Sequence, residues 1–290
     1  MRENNIPHFG LLNKSYKVAL VFFFMVIMAS GQESKCKQIL ELSAKNSSFK
    51  SPVFACADDD GNDFFKAEIT TDVCKDSLCE LMEINVIWDL AGNYKTMDTI
   101  PGVPLTKNDH EPFSNSDYNK LHNILKNGNS ILGYRTKIEL IDNSVSDYSE
   151  KVDGVSGATS KEIKSTVVEG AVYSTYTLWH LVNGGIVNQL RKHTQTNYNP
   201  AIQNQLLESE NPKTLLFVLK TFNAEDYIDH FEKVISIMKL NIPVINFYIA
   251  KKIPKTLFSK EENVIALQNI WDNLDKNTQS VLSVNMDPSE

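Results

Sequence analysis

Leu81-Met82-Glu83-Ile84-Asn85-Val86-Ile87-Trp88-Asp89-Leu90-Ala91-Gly92-Asn93, followed at once by Tyr94-Lys95-Thr96-Met97, decides how this chain folds. From Leu81 to Trp88 apolar and polar residues alternate in part at period two, and β-formers dominate. Asp89 to Asn93 supplies turn residues, and Tyr94 to Met97 returns as a second strand. The stretch reads as a hairpin. The fold class expected is therefore α+β: a small antiparallel sheet with packed helices, then an all-α C-terminal region.

On the N-terminal side, residues 32 to 72 mix a short helical pattern, Cys36-Lys-Gln-Ile-Leu-Glu-Leu42, with turn-rich acidic sequence. Asp58-Asp59-Asp60-Gly61-Asn62-Asp63 resembles the start of a calcium loop, but the position that needs a glutamate holds Ile69. A solvated turn is the better reading. On the C-terminal side, Pro101-Gly-Val-Pro104 forces an irregular segment. A helix with Ser114 or Ser116 as N-cap follows, with Tyr118, Leu121, Ile124 and Leu125 on one face. Asn127-Gly128-Asn129 ends it. Residues 130–141 read as a further strand, residues 142–150 as a polar loop, and residues 160–183 as a long helix stopped by Gly184-Gly185.

The 290 residues are enough for one large core or two smaller ones. Apolar residues at 42% and charged residues at 22% are ordinary globular values and argue against wholesale disorder. A net charge of −7 gives no basic footprint for nucleic acid. Near the start, Lys14 and Lys17 precede a short apolar run, residues 18–29, that ends in the small residues Ala29-Ser30-Gly31. That pattern is a secretory signal peptide over residues 1–31, with an uncleaved membrane anchor as the alternative. The mature chain is expected to be exported, periplasmic or extracellular.

Export changes how the cysteines read. Cys36, Cys56, Cys74 and Cys79 make an even set in an oxidising compartment, which points to disulfides. The sequence-local pairing is Cys36 with Cys56 and Cys74 with Cys79, though the connectivity stays open. The spacing between Cys74 and Cys79 misses both the zinc-knuckle and the redox CxxC patterns.

The second informative stretch is Asp153-Gly154-Val155-Ser156-Gly157-Ala158-Thr159-Ser160. It packs an acid, two glycines and three hydroxyls before an expected helix, a setting in which backbone N–H groups can hold a phosphate. Thr159-Ser160-Lys161-Glu162 is equally a capping box, which explains the same residues with no cofactor. Asp153, Ser156, Gly157, Ala158 and Thr159 nevertheless resemble the flavinylation motif of the FMN-binding domain family. That family is found in Rnf-type and sodium-translocating NADH:quinone reductase subunits. The resemblance spans about residues 75–185 and is specific over residues 153–160.

It implies covalent FMN, esterified through its phosphate to Thr159. Ser156, Gly157, Ala158, Asp153 and Ser160 complete the cofactor-binding set: Gly157 would let the backbone approach the phosphate, Ala158 would leave room at the acceptor, and Asp153 would hold the turn through an Asx-type hydrogen bond or be read by the transferase. It also implies an FMN transferase as one partner and an extracytoplasmic or membrane redox protein as another. This sequence departs from the family in placing Lys161 and Glu162 where further hydroxyls are usual, which bears on the flavin-side contacts. Such a protein is an electron carrier rather than an enzyme with its own substrate pocket.

The division expected is a disulfide-containing α+β domain over residues 32–198 and a helical domain over residues 199–290. In the latter, Asn211-Pro212, Asn223-Ala-Glu-Asp and Asn241-Ile-Pro243 read as helix starts. Antiparallel pairs resembling a short α-solenoid would follow, as a docking module for a protein partner.

His110 between Asp109 and Glu111, and His180 beside Trp179, are candidate relay or ligand histidines, more simply read as structural. Trp88, Tyr118, Tyr134 and Trp179 are candidates to stack on a flavin, more simply read as core. No GxSxG, HExxH, P-loop or dinucleotide-binding pattern occurs. Two competing readings are an exported interaction protein whose turn is only a cap, and a relative of the FMN family that binds flavin non-covalently or has lost it.

Overall fold

The computed structural model describes residues 36–43, 49–72, 81–107, 110–136, 140 and 165–286. Five strands pair antiparallel in chain order: β1 (Cys36–Leu42), β2 (Ser51–Ala57), β3 (Asp63–Thr71), β4 (Met82–Trp88) and β5 (Tyr94–Thr99). Helix α1 (Asn115–Lys126) follows, then α2 (Val172–Asn183) and α3 (Gly185–Thr196). The helical C-terminal region comprises α4 (Pro200–Leu207), α5 (Pro212–Leu219), α6 (Ala224–Asp229), α7 (Phe231–Lys239), α8 (Pro243–Lys252), α9 (Glu261–Gln268) and α10 (Lys276–Met286). The fold is mixed α+β, as the sequence implies. Among the described residues no helix is long and apolar enough to cross a membrane.

The hairpin stretch forms as its alternation requires. Met82, Ile84, Val86 and Trp88 are buried on one face of β4, and Phe65, Ala67, Ile69 and Thr71 face them from β3. The register pairs Phe65 with Trp88, Ala67 with Val86, Ile69 with Ile84 and Thr71 with Met82, so buried side chains pack in cross-strand ranks. Trp88 is fully buried, and its indole N–H donates to the Val182 carbonyl of α2 at 2.9 Å. That bond ties the sheet to the helix covering it.

The two tight turns of the sheet among the described residues have one design. In residues 58–62 the Asp58 carboxylate accepts the N–H groups of Asp60 and Asn62, and Gly61 takes φ +82°. In residues 89–93 Asp89 accepts from the Asn93 N–H, and Gly92 takes φ +72°. The first turn is exposed. The second is seated on α3, where a methyl group at Gly92 would stand 2.9 Å from the Val187 carbonyl oxygen.

That seat joins three parts of the chain. Arg191 Nε of α3 donates to the Ala91 carbonyl at 2.8 Å, and Thr194 Oγ1 donates to Leu90 at 2.6 Å. The Thr214 hydroxyl of α5 donates to the Asp89 carboxylate, and Asn93 Nδ2 donates to Thr214 Oγ1 at 3.0 Å. On the other hairpin, Gln205 of α4 exchanges two hydrogen bonds with the Asp63 backbone. Sheet and helices share one continuous apolar core.

Several expectations are corrected. Residues 36–42 are strand β1 rather than a helical turn, because they pair with β2 and are fastened there by the Cys36–Cys56 disulfide. Where the expected strand over residues 130–141 is described, its first part is instead a short 3-10 helix, Ile131–Tyr134, with the Ser130 hydroxyl accepting the Leu132 N–H. Asn241 does not cap α8; it takes φ +53° after α7, and Ile242 holds the cap position. Asn211 and Asn223 cap α5 and α6 as expected, Asn223 through a capping box with Asp226.

Candidate functional site

Asp153, Ser156, Gly157, Ala158, Thr159 and Ser160 lie outside the described residues, as do Cys74, Cys79, Asp109 and residues 1–31. The two arms that flank the motif are described, and both are seated on α2. On the N-terminal arm, His180 Nε2 donates to the Leu132 carbonyl at 2.9 Å, and the Tyr176 hydroxyl donates to Arg135 at 3.0 Å. Trp179 packs against Gly133, where an added methyl group would stand 2.9 Å from the indole. Tyr176, Trp179 and His180 fall on one helical face by their spacing, which lets α2 hold this arm along its length. Leu132 and Leu140 are fully buried.

On the C-terminal arm, Val167 and Val168 are fully buried. The Val168 N–H donates to Thr175 Oγ1 at 3.2 Å, and that hydroxyl donates to Ala171 at 2.7 Å, closing the arm onto the first turn of α2. Gly170, at φ +73°, rests on the aliphatic stem of Lys107. The Lys107 ammonium pairs with Asp117 of α1 at 2.9 Å. Asp117 is also the N3 residue of the α1 capping box, and Ser114 Oγ donates to it at 2.6 Å. Burial opposes ionisation of Asp117, but the bonds from Ser114 and Lys107 outweigh it and hold its carboxyl below the usual range. The same bond to Asp117 raises the Lys107 ammonium.

The long helix expected over residues 160–183 is therefore corrected. Residues 165–171 are turns and bends, and α2 begins only at Val172, with Ala171 as an N-cap that makes no side-chain bond. Gly170 in the left-handed region is what breaks the helical run. Thr159 is not the cap of α2.

The remaining candidates separate by burial. Trp88 and Trp179 are core residues with satisfied indole N–H groups, and the Tyr118 hydroxyl accepts the Leu105 N–H at 2.8 Å. Tyr134, on the N-terminal arm, is 86% exposed and keeps an open aromatic face. His180 spends Nε2 on Leu132 and packs between Tyr176 and Trp179. His110 takes φ +59° in the loop before α1. Among the described residues no group of three or more His, Cys, Asp or Glu side chains is gathered to hold a metal ion.

One concave site gave no signal in the sequence. It lies where the β4–β5 turn, the end of α1, the α2–α3 junction and the start of α5 converge, and Lys126, Arg191 and Lys213 line it. Its residues come from separate segments, so no linear motif marks it. No family model, curated protein or solved structure matches the chain.

Proposed function

We propose that the protein is an exported flavoprotein that carries FMN covalently on Thr159 and relays electrons outside the cytoplasm. The observation that carries this reading is the sequence of residues 153–160, which resembles a flavinylation motif. The competing account made Thr159 the cap of a helix running to Asn183; residues 165–171 are turns and bends, so no single helix runs to Asn183 from the motif. Ala171, not Thr159, holds the cap position of α2.

The arms support the reading by anchoring both flanks of the motif on one helix. Thr159 would supply the acceptor hydroxyl: its oxygen forms the phosphoester with an activated FMN donor, losing its proton as the donor's leaving group departs. Gly157 would let the backbone approach the phosphate, and Tyr134 offers an exposed aromatic face beside the arm. Attached flavin supplies one- and two-electron chemistry. An FMN transferase and a redox protein outside the cytoplasm or in the membrane are the partners this function requires.

A second reading, docking by the C-terminal helices, is favoured by Ile228, Leu240, Val244, Ile265 and Val284, which are large, apolar and exposed there. The experiment that separates the two is in-gel flavin fluorescence of denatured protein, co-expressed with an FMN transferase in an exporting host. A fluorescent band that disappears in Thr159→Ala supports the carrier. A dark band, beside a fluorescent control substrate of the same transferase, overturns it.

A further inference from the structure

The site at the β4–β5 turn is a groove of about 690 Å3, within the range that accepts a small molecule. Its lining carries Lys126, Arg191 and Lys213 against one acid, Glu210, in a chain whose net charge is −7. The framework is fixed by asparagines already committed to bonds. Asn93 binds Asp89 and Thr214, Asn183 Nδ2 donates to Leu125 at 2.9 Å, and Asn211 accepts the Lys213 N–H at 3.0 Å.

Arg191 is held in place, and none of the three cations is neutralised among the described residues. Arg191 is half-buried, and the bond from its Nε to Ala91 orients the guanidinium while leaving its outer nitrogens unpaired among the described residues. Lys126 and Lys213 form no side-chain hydrogen bond or ion pair among the described residues. Lys213 Nζ lies close to Gly128, where an added methyl group would stand 3.2 Å from Nζ and 3.1 Å from Asn183 Oδ1. Three like charges around one groove repel each other, and an anion relieves that repulsion. A planar guanidinium held at one edge presents its free edge to two oxygens of a single oxyanion.

We infer that this groove binds a small molecule bearing a phosphate group. Arg191 grips the phosphate, Lys126 and Lys213 flank it, and Asn129 and Asn188 face the rest of the ligand. The groove is built wholly from residues other than the motif of residues 153–160, so the inference stands apart from the flavin reading and is tested on a chain that cannot be flavinylated.

The experiment is a backbone amide NMR titration of the full Thr159→Ala chain with inorganic phosphate, at ionic strength held constant with sodium chloride. Saturable shifts are expected at Gly92, Gly128, Asn129 and Asn188. Adding Lys126→Gln and Lys213→Gln should weaken the apparent affinity about tenfold without lowering the melting temperature. Shifts that never saturate overturn the inference. So do shifts spread over exposed lysines such as Lys251 and Lys252, or binding unchanged in the lysine variants.

Discussion

The Asp89 carboxylate accepts the hydroxyl of Thr214 across 125 residues of chain. The two oxygens of this carboxylate divide the work: Oδ1 closes the hairpin turn through the Asn93 N–H, and Oδ2 holds the N-terminal end of α5. Asn93 completes the triangle by binding both partners. Asp89→Ala and Thr214→Val should each destabilise the protein, with a coupling of about 1–2 kcal/mol in a double-mutant cycle. Urea unfolding measures it. Additive losses would mean the contact does not bind the sheet to the C-terminal helices.

The two glycine turns offer an internal control. Gly61→Ala imposes only the left-handed backbone, at about 1–2 kcal/mol, because a methyl group there meets nothing within 4 Å. Gly92→Ala imposes the same backbone and also drives a methyl group onto Val187, so it should cost about 1–3 kcal/mol more. Equal melting points for the two variants would show that the second turn is not seated on α3.

The Cys36–Cys56 disulfide fastens the edge strand β1 to β2 at a sequence separation of 20. Replacing both cysteines by serine should cost about 3 kcal/mol. Hydrogen exchange should quicken first in β1, while β3 and β4, paired on both sides, stay protected. Uniform loss of protection would contradict the local role assigned to the bond.

Asp117 makes a pH prediction with a definite sign. Its folded pKa lies below its unfolded value, so its contribution to stability is present above about pH 3.9 and is lost as pH falls through the folded value. Asp117→Asn should therefore be less stable than the parent near neutrality and converge with it in acid. Ser114→Ala, which removes the α1 cap, should cost about 1 kcal/mol. A stability difference for Asp117→Asn that persisted at pH 2 would point to packing rather than charge.

Much of the fold was legible because local signals agreed. β4 alternates in part, Asp89 and Gly92 mark the turn, and Ser114, Asn211 and Asn223 are caps whose side chains make the expected bonds. β1 was missed because its register slips between Gln38 and Leu40, and that bulge erases the period-two pattern. The start of α2 was missed because Gly170 reads as an ordinary helix residue until its positive φ is known. The 3-10 turn at Ile131 depends on Gly133 fitting under Trp179, a contact made across the fold. The phosphate groove was invisible for the same reason: Arg191 is aimed by a carbonyl a hundred residues away.

The central claim rests on one oxygen atom, the hydroxyl of Thr159. Intact-mass measurement of the purified chain, co-expressed with an FMN transferase in an exporting host, tests it most directly. The account predicts a mass increase of one FMN less one water, mapped by peptide fragmentation to Thr159 and absent from Thr159→Ala. An unshifted mass, with a control substrate modified in the same cells, would contradict it.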